Sequence, residues 1–393
     1  MGKIRVAFLL NVSENWLGGL NYYRNLITAV VENEDLDIEP VIFLSNDADM
    51  KLFKDYPEVT IVKTGLLTRW NLLWFIRKVL SKVFKRDILL EILLRLHKID
   101  IISHMIDILY NVKFPRIGWI ADFQHKHIPT LFSKEELCWR DSFFCKLVEK
   151  CDSIILSSNS AKNDFVSIYP EFQDKAEVLQ FVVSLDKCAM PNRADQLKEK
   201  YHIDSKFFYL PNQYWVHKNH TVVLEALNML NRENKKVLVV SSGHTADIRN
   251  KEYFTSIESY INNNNLHDVY YILGKIPYSD VQLLAQGCLS FINPSRFEGW
   301  STTVEEAKTM GKRIVLSNIS VHLEQNPQGG VFFNPDNPRE LADKMWMLWN
   351  ADSEKDVQQN DIESNNIKRR RVFVERYKNI LEHTLGRFKE NKS

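Results

Sequence analysis

A chain of 393 residues with a 45% apolar fraction has enough material for two ordinary globular domains. Its formal net charge of +1 argues against a general nucleic-acid binder. Five scattered cysteines (Cys138, Cys145, Cys151, Cys188 and Cys288), without CxxC spacing, argue against a disulfide framework or zinc site and fit reduced thiols in a cytoplasm.

Lys3-Ile4-Arg5 leads straight into a strand-like run, so no signal peptide is expected, and no uncharged apolar run reaches transmembrane length. In the first half, strands are expected over Ile4–Leu10, Val41–Leu44, Val59–Val62, Asp100–Ser103, Ile117–Ile120 and Ser153–Leu156. Helical patterns lie between them, notably Asn21–Val31, Leu72–Val83 and Lys134–Lys150. Gly18-Gly19 falls between the first strand and its helix. Glycine there lets backbone approach a phosphate at a helix N-terminus, though a plain turn explains it equally well.

Leu66–Arg86 combines Trp70, Leu73, Trp74, Phe75, Ile76, Leu80 and Phe84 with Arg69, Arg77, Lys78, Lys82, Lys85 and Arg86. Two readings stay open: an interfacial helix making a peripheral membrane contact, or a core-facing helix with a solvated basic face. After the strand ending at Ile120 comes Asp122-Phe123-Gln124-His125-Lys126-His127. Its two histidines lack an evident third ligand, so no metal is expected. Asp122 and His125 are carried as first-domain site candidates.

A polar segment, Ser184–Lys200, separates this series from a second one with strands expected over Phe207–Leu210, Val237–Val240, Tyr270–Leu273, Leu289–Asn293 and Ile314–Leu316. Alternating strands and helices imply an α/β protein with two Rossmann-like, doubly wound parallel sheets. Domains are expected over 1–190 and 191–367, facing each other across a cleft. Asn262–Asn265 reads as a loop. A helical tail over 368–393 opens with Lys368-Arg369-Arg370-Arg371, whose charges read equally well as a solvated face.

Two loops of the second series carry the chemistry. In Tyr209–Leu227 a strand ends, a loop follows, and a helix begins near Asn219 with Lys218 just before it. An ammonium there can neutralise a diphosphate as a bond to it breaks, the alternative being a surface lysine without a role. His217 reads as an extra donor or as a solvated loop histidine. In Pro294–Leu316, Thr302 and Glu305 read as a capping box, so a helix should start near Thr302 and stop at Gly311. Glu298 then lies in the loop ahead of it and Glu306 about one turn inside, leaning back toward the same space. Two acceptor carboxylates beside a helix N-terminus suit a sugar nucleotide.

The segment Pro-Ser-Arg-Phe-Glu-Gly-Trp-Ser-Thr-Thr-Val-Glu-Glu-Ala, with Gly311 ahead of a strand, resembles the retaining glycosyltransferases of family 4, which have the GT-B fold and a Glu-x7-Glu signature. The resemblance implies that Glu298 touches the donor sugar, Glu306 the nucleotide ribose and Lys218 the diphosphate. Gly18, Gly19, Gly299, Trp300 and Ser301 would complete the cradle, and Ile276-Pro277 would line the base pocket. Gln213 or Tyr214 stands where many members have an arginine, and Ala121 where many have a histidine, unless His125 replaces it in space. The tail would cross back to the first domain. Asp47-Ala48-Asp49 spells the manganese-binding DxD of GT-A transferases, but after the second strand of such a sheet it reads as a loop with a helix cap.

The expectation is therefore a cytoplasmic transferase, at most peripheral to the inner face of a membrane. It would move a sugar from a nucleotide-diphosphate donor to a glycan hydroxyl, with a lipid-linked polysaccharide intermediate as acceptor, without cofactor, metal or nucleic acid. A sugar-nucleotide epimerase or phosphorylase on the same fold, or a non-catalytic sugar-nucleotide or glycan-binding subunit, are the alternatives.

Overall fold

The computed structural model describes residues 2–10, 17–106, 111–184, 193–247, 249–351 and 359–390. The strands are β1 Ile4–Leu9, β2 Ile38–Ser45, β3 Thr60–Thr64, β4 Ile101–Met105, β5 Arg116–Ile120, β6 Ser153–Leu156 and β7 Ala176–Val178. They continue with β8 Phe208–Leu210, β9 Val239–Ser241, β10 Tyr270–Ile272, β11 Ser290–Asn293, β12 Ile314–Ser317 and β13 Gly330–Phe333. The first seven form one sheet in the order β3-β2-β1-β4-β5-β6-β7, and the other six form β10-β9-β8-β11-β12-β13. All pairings are parallel.

The second sheet is buried on both faces, as parallel sheets with helical crossovers must be. Phe208, Leu210, Val239, Ile292 and Val315 enter one core cluster. Their strand neighbours Tyr209, Val240, Phe291, Ile314 and Leu316 enter another. This is the period-2 alternation of a strand applied to two apolar layers.

The chain divides into two units, one of residues 1–123, 133–184 and 367–393, the other of residues 124–132 and 185–366. The expected boundary at 190/191, and Cys188, lie outside the described residues. In the first unit Tyr377 of the last helix, Gln359–Glu390, donates to Ser103 Oγ at 2.8 Å, and Thr384 donates to Ser153 Oγ at 2.9 Å. Among the described residues no helix is long and apolar enough to cross a membrane.

Four local expectations need correction. The first helix starts at Leu17, so Gly18 and Gly19 sit inside its first turn, where amides lack intrahelical acceptors in any case. Asn262–Asn264 closes the helix Tyr253–Asn264, and Asn265 ends it in the left-handed region that asparagine tolerates. Part of the polar segment forms a helix, Arg193–Tyr201. The short edge strands β7 and β13 escaped the apolar pattern. Asp49 caps a 3-10 turn by accepting from Lys51 N at 2.9 Å.

Candidate active site

In an open parallel sheet the loops beyond the carboxyl ends part where the strand order reverses, and ligands bind there. In the second sheet that point lies between β8 and β11, which are neighbours. The loop after β8 carries Lys218, and the loop after β11 carries Glu298. The sequence separation of 80 residues collapses to a hydrogen-bonded ion pair, Lys218 Nζ to Glu298 Oε1 at 2.6 Å.

Each partner is positioned by its own loop. Lys218 ends a 3-10 turn, Val216–Lys218, and Asn219 follows in the left-handed region (φ 57°) before the helix His220–Arg232 begins. Asn219 Nδ2 donates to the Pro294 and Pro335 carbonyls at 3.1 and 2.9 Å, and Arg296 N donates to His217 O at 2.8 Å. These bonds lock the two loops together. Glu298 Oε1 also accepts from Ser295 Oγ at 2.7 Å. Burial pushes the Glu298 carboxyl up, but the Lys218 charge and the bonds from Lys218 and Ser295 outweigh it, and the net shift is downward.

Behind the pair lies a buried amide network that the sequence did not reveal. Asn293, the last residue of β11, accepts from Asn212 Nδ2 at 3.1 Å, and its Oδ1, 2.7 Å from Ser295 Oγ, competes with Glu298 for the one Ser295 hydroxyl proton. Its own Nδ2 donates to Ser301 Oγ at 2.7 Å. Ser301, not Thr302, is the N-cap of the helix Thr302–Met310, accepting from Val304 N. Glu305 is buried and accepts from Gln325 Nε2 at 3.0 Å and Lys308 Nζ at 3.2 Å, because the cap lies one residue earlier than the box requires. Gly311 ends the helix at φ 64° as expected.

Glu306 is half-buried one turn into that helix. Burial pushes the Tyr209 phenol of β8 up, the Ser242 hydrogen bond opposes this, and the Glu306 carboxylate adds to the rise. Gly299 and Trp300 are half-buried in the loop beside Glu298. Gln213 is half-buried, at the point where Gly243 (φ 153°) passes so close that a Cβ there would meet Asn212 O at 2.4 Å. Gly243 N donates to Gly274 O at 2.9 Å and Tyr214 N to His244 O at 3.0 Å, joining the loops after β8, β9 and β10. Ile276 packs partly buried against the adjoining core, and Pro277 precedes the helix Tyr278–Gly287.

Several candidates stand differently from expectation. His217 is buried rather than solvated, and burial, helped by the Lys218 charge, pushes it down to about 3, so it is neutral. Tyr214, standing where an arginine was sought, is buried with its ring stacked on His220 at 4.1 Å. Arg249 brings a second cation to this loop, its guanidinium 5.1 Å from the Trp215 ring centre and bonded to Asp247 and to Gln124 Oε1. Asp122 is half-buried past the end of β5, in the first unit with Gly18 and Gly19. His125 is buried in a short helix, Gln124–His127, that groups with the second unit rather than the first, and in that helix it is His127 that packs on Phe297, 5.1 Å between ring centres.

Two parallel-sheet α/β units built this way define the GT-B class of fold that the sequence pointed to. Residues 194–366, nearly all of the second unit, match the family described as glycosyl transferases group 1. The chain is similar to the O-antigen chain mannosyltransferase RfbU of Salmonella typhimurium, 23% identical over 201 residues that span 49% of this chain and 49% of that relative. It thus matches about half the length of that protein. Among solved structures it resembles a glycosyltransferase from Rickettsia africae (TM-score 0.65, 18% identity, 99% of both chains). It also resembles HepE of Anabaena in complex with UDP and glucose (TM-score 0.63, 15% identity, 95% of both chains). At these identities the likeness to solved structures is one of fold.

Proposed function

We propose that this protein is a retaining glycosyltransferase of the family-4 type. It would move a sugar from a nucleotide-diphosphate donor to a hydroxyl of a glycan, carried on a lipid as an intermediate of surface polysaccharide synthesis. The observation that carries this reading is the Lys218–Glu298 pair at the switch point of a group 1 domain. A cation and a carboxylate held together there match a ligand that has both a diphosphate and hydroxyl donors. The mannosyltransferase relative and the UDP-bound neighbour support the same choice.

In the proposed reaction the donor diphosphate takes over Lys218, and Glu298 is released to a sugar hydroxyl. Glu306 accepts from the ribose, and amides near Ser301 face the phosphates. The C1–O bond to the diphosphate breaks as the acceptor oxygen bonds to C1 on the same face. The acceptor proton passes to the departing phosphate oxygen. Lys218 stabilises the charge that develops there, which is where a fixed cation lowers a barrier.

Glu306→Ala should weaken nucleotide binding by roughly tenfold to a hundredfold, the worth of a hydrogen bond to a charged acceptor. Glu298→Ala should chiefly lower turnover. Thermal shifts with a panel of nucleoside diphosphates and nucleotide sugars, followed by turnover with the one that binds, test both. Near-wild-type behaviour of both variants would remove these glutamates from the site.

A further inference from the structure

The helix Leu72–Phe84 is built inside out. At 3.6 residues per turn, Leu72, Phe75, Ile76, Val79 and Val83 fall within an arc of roughly 100°, the width of an ordinary core-facing stripe. That stripe is on the outside: Leu72 is 73% exposed and Val83 69%. The opposite side, which packs inward, carries Arg77 and Ser81, only 3% and 1% exposed, beside a half-buried Trp74. Trp70, just ahead of the helix, is also exposed, as are Ile92 and Leu96 on the next helix, Ile88–Leu96.

Arg77 fixes this orientation. Its Nε donates to both oxygens of Asp87 at 3.0 and 2.9 Å, Nη2 to Asp87 Oδ2 at 2.7 Å, and Nη1 to Leu66 O at 2.9 Å. Asp87 is itself the N-cap of Ile88–Leu96, so the clamp ties one helix to the start of the other. A buried bidentate ion pair is costly to desolvate and adds little net stability over apolar packing. Turning the helix by half a turn would bury its apolar side chains instead. Its present arrangement specifies an apolar outer face.

Charge identifies what that face meets. Residues 66–86 contain six basic side chains and no acidic one, in a chain whose net charge is only +1. Arg77 and Arg86 are paired with Asp87 and Glu91. Lys78 and Lys82 flank one side of the stripe, and Arg69 and Lys85 lie at the helix ends. A second copy of this chain packed face to face would set these cations against themselves, because a two-fold interface opposes like with like. An anionic bilayer satisfies both components. The headgroups neutralise the lysines, while Trp70, Phe75, Val79 and Val83 enter the boundary with the acyl chains.

We propose that the outer face of Leu72–Phe84 is a docking surface for an anionic lipid bilayer, on which the protein lies without spanning it. This stands independently of the transfer chemistry.

The test is sedimentation of the full-length protein, without sugar nucleotide, on vesicles of phosphatidylcholine alone and of phosphatidylcholine with phosphatidylglycerol. The wild type should pellet with the anionic vesicles at low salt and be released as salt rises. Arg69→Glu with Lys82→Glu should lower the partition coefficient by at least roughly fivefold for each residue changed. Phe75→Ser with Val79→Ser and Val83→Ser should lose binding even at low salt. All five positions are solvent-facing, so melting temperature and nucleotide binding should stay at wild-type values. Absence of binding to anionic vesicles, or equal binding to neutral ones, would overturn the proposal. So would a concentration-dependent dimer by light scattering that the serine variant dissolves while vesicles are ignored.

Discussion

Lys218 and Glu298 stabilise each other's charge in a setting where neither is well solvated, their side chains being 16% and 10% exposed. Lys218→Ala should therefore have two separable effects. Turnover should fall on the order of 10²–10³-fold, as for loss of a cation that acts in the transition state. Stability should fall by about 3 kcal/mol, because a shielded carboxylate loses its counter-charge. Lys218→Met combined with Glu298→Gln removes both charges, so it should regain most of the stability in a urea titration and none of the turnover. If the double variant is no more stable than Lys218→Ala, the unpaired Glu298 carboxylate is not the source of the loss. The sequence placed these two residues on the right loops because each stands beside a helix start that can be read locally. It could not reveal Arg249, which reaches the same region from the loop after β9 and has no local pattern that distinguishes it from a surface arginine. Nor could it separate Ser301 from Thr302 as the cap, since both are good N-cap residues and the choice depends on Asn293 Nδ2 reaching Ser301 Oγ.

The same limit applies to whole elements. Apolar periodicity identified Leu72–Val83 as amphipathic but left undecided which side faces the core. That sign is set by the Arg77–Asp87 clamp, an interaction between two helices. β7 and β13, of three and four residues, each pair with a single neighbour, so little apolar sequence is needed to form them. Gly243 shows how a short element can be decisive. It adopts φ 153° where backbone from Asn212 and Gln213 leaves no room for a Cβ. Gly243→Ala should cost about 2 kcal/mol or more, through strain and a forced shift of the Asn212 loop. Calorimetry should show the second unit losing that stability while the first unit's transition stays in place. A variant that melts like the wild type would mean the loop yields without penalty.

Four of the five buried histidines among the described residues resist protonation. Burial pushes His104, His217 and His220 down to about 3 and His322 to about 4, from an ordinary value near 6.5. Between those folded values and the unfolded one, the unfolded chain takes up protons that the native chain refuses. Stability is therefore lost as pH falls below about 6.5, by up to about 1.4 kcal/mol per pH unit for each histidine. Glu298 behaves differently: its lowered carboxyl keeps its contribution until pH falls below the ordinary carboxylate range. His217, His220 and His322 belong to the second unit and His104 to the first. The second unit's melting temperature should thus drop more steeply between pH 7 and 5. Two transitions that stay level until pH 4.5 would contradict this.

The first unit takes Phe373, Val374, Tyr377, Ile380 and Leu381 of the last helix into its buried interior. A ribosome delivers the chain from its N-terminus, so the first unit is begun first yet is still missing part of its core when residue 366 emerges. The second unit, complete by then, is free to fold ahead of it. The second unit can therefore fold before the first is complete, and until the helix Gln359–Glu390 arrives, the surfaces that it covers around Ser103 and Ser153 stay open to other contacts.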